Sequence, residues 1–147
     1  MNDNFSFRLQ RVLDYREYVK NQKAEELARY RALLDRERDT LNGLQVKKNT
    51  VAHAMDEKCS EGVSVEYLAQ CSRYMDRLKN FIDRQNENVS EMEKKVEECR
   101  NGLTEASKEK EMLDRLRTRH YQRFAYHLSR EQEKQVEDLV NNRKVNL

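Results

Sequence analysis

The sequence contains no proline and no tryptophan, and only three glycines in 147 residues. Proline removes a backbone donor and clashes with the preceding turn, and glycine costs about 1 kcal/mol against alanine inside a helix. With both so scarce, almost nothing here interrupts a helix. Apolar residues never run more than three together, which excludes a membrane-spanning segment and a secretory signal core. The three cysteines are an odd number with no Cys-x-x-Cys pair, which reads as reduced thiols in an intracellular protein rather than a disulfide framework. The only histidines are His53, His120 and His127, and none follows a glutamate by three residues, as in the helical pairs of di-iron bundles. His53 with Cys59 makes a weak metal pair at most. There is no glycine-rich phosphate loop. The expectation is a non-enzymatic protein with no catalytic residue, cofactor or metal.

What the chain has is charge in register. Charged residues make up 38% and hydrophobic ones 37%, too even a mixture to surround a globular core. The net charge of +2 points to no particular partner. So polar a composition also suits disorder, but one stretch rules that out. Positions 68, 71, 75, 78, 82, 85, 89, 92, 96, 99, 103, 106, 110 and 113 alternate steps of three and four, and only Gln85 and Lys110 among them are neither apolar nor small. Such spacing keeps one narrow stripe towards a partner helix, the seam of a coiled coil. Cys71 and Cys99 sit on it, where a thiol packs as a small hydrophobe.

Before this stretch a second stripe runs through Phe5, Leu9, Val12, Val19, Leu27, Tyr30, Leu34, Leu41, Leu44, Val51 and Met55, with Glu37 and Lys48 as polar members. Passing from Val19 to Leu27 takes two steps of four, a stutter that relaxes left-handed supercoiling. The one plausible break is at residues 60–64, where Gly62 can adopt the left-handed conformation and Ser64 can cap the next helix. This predicts an all-α, long antiparallel two-helix coiled-coil hairpin over residues 1–147. The first helix covers about 5–58, the turn about 59–64 and the second helix about 65–143. So short a connection forces antiparallel packing. At 1.5 Å per residue the second helix overruns the first by about 25 residues, roughly 36 Å. That overhang still carries Tyr121, Phe124, Leu128, Val136, Leu139 and Val140, which need either an external partner or the N-terminal residues to cover them.

Two surface constellations stand out. Residues 115–130 contain no acidic side chain but hold Arg115, Arg117, Arg119, His120, Arg123, His127 and Arg130, with Tyr121, Phe124 and Tyr126 interleaved. Such a segment can meet an acidic protein surface, bind phosphates and stack bases, or simply be solvated. Tyr67, Tyr74 and Phe81 recur every seven residues, each one position before the seam. They either widen the core or form a docking stripe.

The opening Phe5-Ser6-Phe7-Arg8-Leu9-Gln10-Arg11-Val12-Leu13-Asp14-Tyr15-Arg16-Glu17 resembles that of the flagellar export protein FliJ family. The closing Arg130-Glu131-Gln132-Glu133, with Asp138-Leu139 and Arg143, is similar to the end of the same family; Val140 and Asn142 depart from its small or basic residues. The resemblance implies a component of the flagellar type III export apparatus, cytoplasmic and peripheral at the inner face of the membrane without inserting into it. It further implies a stalk in the hexameric export ATPase that contacts the export gate membrane protein and substrate chaperones, with no nucleic acid as partner. The family's gate-contacting surface, carried over through Gly62, falls on Leu44, Val51, Tyr74, Leu78, Phe81 and Gln85. Thr40 and Lys47 occupy its other positions, Lys47 where an aromatic is usual. A pair of helices is about 20 Å across, which suits the channel of a hexamer. The end carrying both motifs would enter it, with Phe5, Phe7, Arg8, Arg115, Arg117, Arg119, Arg123, Phe124 and Leu128 as contacts. The alternatives are a homodimeric coiled-coil scaffold and a basic nucleic-acid-binding hairpin.

Overall fold

The computed structural model describes residues 4–146. Two helices account for nearly all of them: α1, Gln10–Glu61, of 52 residues, and α2, Val65–Val145, of 81. The chain divides into two compact units, each built from both helices. One is Lys23–Gly102; the other holds the chain up to Gln22 and from Leu103 onward. In the first, Lys58 stacks on Tyr67 and Arg38 reaches Glu93; in the second, Gln10 meets Arg117 and Arg16 pairs with Glu109. Numbers fall along α2 as they rise along α1, so the helices are antiparallel. The fold is the all-α coiled-coil hairpin that the spacing predicts, with the second helix longer.

The turn follows from two residues. Gly62 takes φ +86°, a left-handed conformation that closes α1 at little cost only without a Cβ. Ser64 caps α2, its Oγ accepting the backbone N–H of Tyr67 at 3.3 Å. A Cβ at Gly62 would touch nothing within 4 Å, so Gly62→Ala tests backbone strain alone. It should lower the unfolding free energy by about 1 kcal/mol. Gly43 also has open space around its missing Cβ but sits inside α1, so Gly43→Ala should raise it by about as much. Urea unfolding followed by helical circular dichroism reads both signs.

All fourteen seam positions of α2 are buried or half-buried, with Leu78, Ile82, Gln85, Val89, Val96 and Ala106 the most enclosed. The α1 seam differs from the expected one. Val12 is 43% exposed and its neighbour Leu13 only 5%. From Leu13 the buried and half-buried residues run through Arg16, Val19, Lys20, Lys23, Glu26, Leu27, Tyr30 and Leu34, so the stripe takes in Lys20 beside Val19 before it narrows. Arg16, Lys20 and Lys23 hold seam positions by laying their methylene stems along it, as long cationic side chains do. Lys23 lies 3.7 Å from where a Cβ of Gly102 would stand, so the small residue admits that stem.

Residues 5–9 are not helical, and α1 begins at Gln10 rather than near Phe5. The rings explain it. Phe5 and Phe7 both face α2, Phe5 against Tyr121 and Phe124 and Phe7 against His120. Residues two apart point nearly opposite ways on a helix but the same way on an extended chain. A turn with Gln10 N–H donating to Phe7 C=O at 3.0 Å then starts α1.

Candidate functional site

Two surfaces, one in each unit, hold the residues singled out above. In the Lys23–Gly102 unit, α2 carries Tyr74 and Phe81 one position before the seam residues Met75, half-buried, and Ile82, buried. That offset turns them sideways, and they remain 40% and 52% exposed. The register fixed by Lys58 with Tyr67 and Arg38 with Glu93 sets Val51 level with Tyr74 and Leu44 level with Phe81, both half-buried. Leu78 and Gln85 lie elsewhere. Leu78 is only 3% exposed, in the seam. Gln85 is 8% exposed, and its Nε2 donates to the Glu37 backbone carbonyl at 2.9 Å and to the Glu37 carboxylate. Asn88 Nδ2 donates in turn to Gln85 Oε1 at 3.3 Å. A polar layer of this kind pins the register of two helices. Tyr67, the third aromatic of the stripe, is half-buried beneath Lys58, whose Nζ lies 5.3 Å from the ring centre. A side-chain hydrogen bond with Cys71, then its charge, pushes the Tyr67 phenol up.

The terminal surface is built by Phe5. Its ring stands edge-on to Tyr121 at 5.3 Å and tilted against Phe124 at 5.6 Å, with the Arg117 guanidinium 5.8 Å above it. Arg117 Nε also donates to Gln10 Oε1 at 3.1 Å. Phe7 is buried, its ring 5.5 Å from His120. The N-terminal residues thus cover Tyr121 and Phe124 from one side, and Leu128 is half-buried. From Ser129 to Val145 every residue is exposed, including Val136, Leu139 and Val140. Only this last part of the overhang lacks cover.

Of the basic residues, Arg115 pairs with Glu111 at 2.8 Å, and Arg130 lies over Tyr126 and 3.9 Å from Glu133. Arg8, Arg119 and Arg123 are exposed. Such ion pairs contribute about 0–1 kcal/mol each and orient side chains more than they hold the fold. A shallow groove runs beside Phe5, lined by Asn4, Ser6, His120, Arg123, Phe124 and His127.

Gln10 and Lys58 escaped the reading by residue type, and His120 was read as part of the basic segment rather than as a packing residue. Continuing the seam past Leu113 in steps of four, three and four would have reached His120 and Phe124. Among the described residues no three of His, Cys, Asp and Glu gather where a metal could sit. Burial pushes the Cys99 thiol up, reinforced by Glu26, as suits a packed thiol. No helix among the described residues is long and apolar enough to cross a membrane.

A family model described as Flagellar FliJ protein matches residues 5–144. No curated protein and no solved structure matches the chain.

Proposed function

We propose, from the premise that this chain belongs to the FliJ family of flagellar export components, that it is a non-enzymatic stalk whose two surfaces serve two partners. The terminal surface enters the hexameric flagellar export ATPase. The surface near the turn docks on the cytoplasmic part of the export gate membrane protein. Substrate chaperones are further partners, and the protein acts in the cytoplasm, peripheral at the inner face of the membrane through the export apparatus.

The observation that carries this reading is that each unit leaves a different chemistry uncovered. Near the turn, Tyr74 and Phe81 expose large rings beside a seam already complete without them. Aromatic anchors of this kind dominate protein interfaces. In the proposed gate contact they touch the partner directly, with Leu44 and Val51 at the edge. Leu78 and Gln85 support them from the seam. At the terminal surface, Arg8, Arg115, Arg117, Arg119 and Arg123 are exposed, and they share that unit with Phe5 packed on Phe124, the buried Phe7 and the half-buried Leu128. Exposed charge pairs are weak and screened by salt, so arginines against acidic loops of a ring give an oriented yet loose contact. The same surface offers few ring faces to nucleic acid, because Phe5 and Phe124 pack on each other and Arg130 lies over one face of Tyr126, while Tyr121 and Tyr126 stay more than half exposed. Base stacking needs a free ring face.

The experiment exploits the separation. Tyr74→Ala combined with Phe81→Ala should abolish binding to the purified gate domain, while helicity and stimulation of the export ATPase stay as in the unaltered chain. Unchanged gate affinity would reduce the two rings to core padding.

A further inference from the structure

We infer that the groove beside Phe5 is a binding site for an acidic peptide strand of another protein, resting on the reading of this surface as the ATPase-facing one. Three features point to that occupant. His120, Arg123 and His127 lie three and four residues apart along α2, the spacing that puts side chains on one helix face, and all three line the groove. No acidic residue is among the described residues lining it, and α2 has none over residues 115–130. Its floor is apolar, formed by Phe5 and Phe124 in contact with each other. Its far wall, Asn4 and Ser6, is non-helical chain that precedes α1.

These features select a ligand. A carboxylate accepts hydrogen bonds from a guanidinium in a planar, two-point fashion, and imidazole N–H groups add further donors. The Phe5 and Phe124 rings offer a surface for an aliphatic side chain but no free face for a base. A free phosphate would use the donors and leave the floor unused. An aliphatic residue flanked by glutamates or aspartates satisfies both. Arg123 is the primary anchor, since it is exposed and, unlike Arg115 and Arg117, not held by Glu111 or Gln10.

The test uses the full chain and an N-acetylated Glu-Glu-Leu-Glu-Glu amide as probe, titrated at low salt and followed by NMR shifts of the histidine and phenylalanine rings. Shifts confined to His120, His127, Phe5 and Phe124 are expected, and Arg123→Gln with His127→Gln should weaken binding about tenfold, as for one exposed charge pair and one hydrogen bond. Equal binding of the Gln-Gln-Leu-Gln-Gln counterpart, or shifts elsewhere on the chain, would overturn the site. So would inorganic phosphate or oligothymidylate binding as tightly as the acidic peptide. Because no ATPase is present, the result is independent of whether the ring is the partner. Peptide binding without ATPase stimulation keeps the groove and removes the stalk reading; the reverse removes the groove alone.

Discussion

Ile82→Asp should cost about 3 kcal/mol or more in unfolding free energy, a larger loss than the same change at Val96 would bring. Ile82 is buried within the Lys23–Gly102 unit. A carboxylate there must either remain charged without a partner or be protonated at a cost of similar kind. Val96→Asp should cost less although Val96 is just as buried. Arg31, Arg38 and Arg100 line the surface beside it together with Asp35, Glu93 and Glu97. Arg38 pairs with Glu93 and Arg100 with Glu97, so a new carboxylate would compete for those guanidinium groups rather than stand alone. Glu91, exposed on the outer face, should tolerate alanine within about 0.5 kcal/mol. The order Ile82, Val96, Glu91 in urea midpoints checks the register. A seam shifted by one residue would reverse the first and last.

That register was legible because apolar residues occupy nearly every seam position from Leu68 to Leu113, so chance could not produce the spacing. In α1 the same reading went astray for a physical reason. Arg16, Lys20 and Lys23 stand where the pattern needs apolar side chains, and hydropathy scores their charge, not their stems. Val12, adjacent to the buried Leu13, then drew the start of the stripe one residue aside. The non-helical start had no local signal either. No proline or glycine marks residues 5–9; two phenylalanine rings reaching one helix decide it, and that contact spans more than a hundred residues of sequence.

The candidate surfaces were legible in part for a related reason. Periodicity separates seam from flank, so Tyr74 and Phe81 were found beside the seam and Leu78 and Gln85 within it. What needed coordinates was the partner of Gln85, the Glu37 backbone carbonyl. The terminal groove was invisible because it combines a non-helical segment with a helix distant in sequence.

The stalk reading rests on the terminal arginines acting together. Singly each contributes little, and two of them already have partners on the chain: Arg115 with Glu111, and Arg117 with Phe5 and Gln10. Their joint replacement should spare the fold, since all four are exposed and only Arg117 reaches the N-terminal residues. It should remove most of the electrostatic attraction that orients the surface towards an acidic ring. The apolar cluster of Phe5, Phe7, Phe124 and Leu128 would remain, so binding should weaken without vanishing.

The most direct measurement is the turnover of the hexameric export ATPase, titrated with the unaltered chain and with one carrying Arg115→Gln, Arg117→Gln, Arg119→Gln and Arg123→Gln, at low and high salt. The unaltered chain should raise turnover to a plateau, less effectively as salt increases. The four-arginine chain, with unchanged helicity, should lose most of that stimulation and its salt dependence. Full stimulation by the altered chain, or none by the unaltered one, would contradict the stalk.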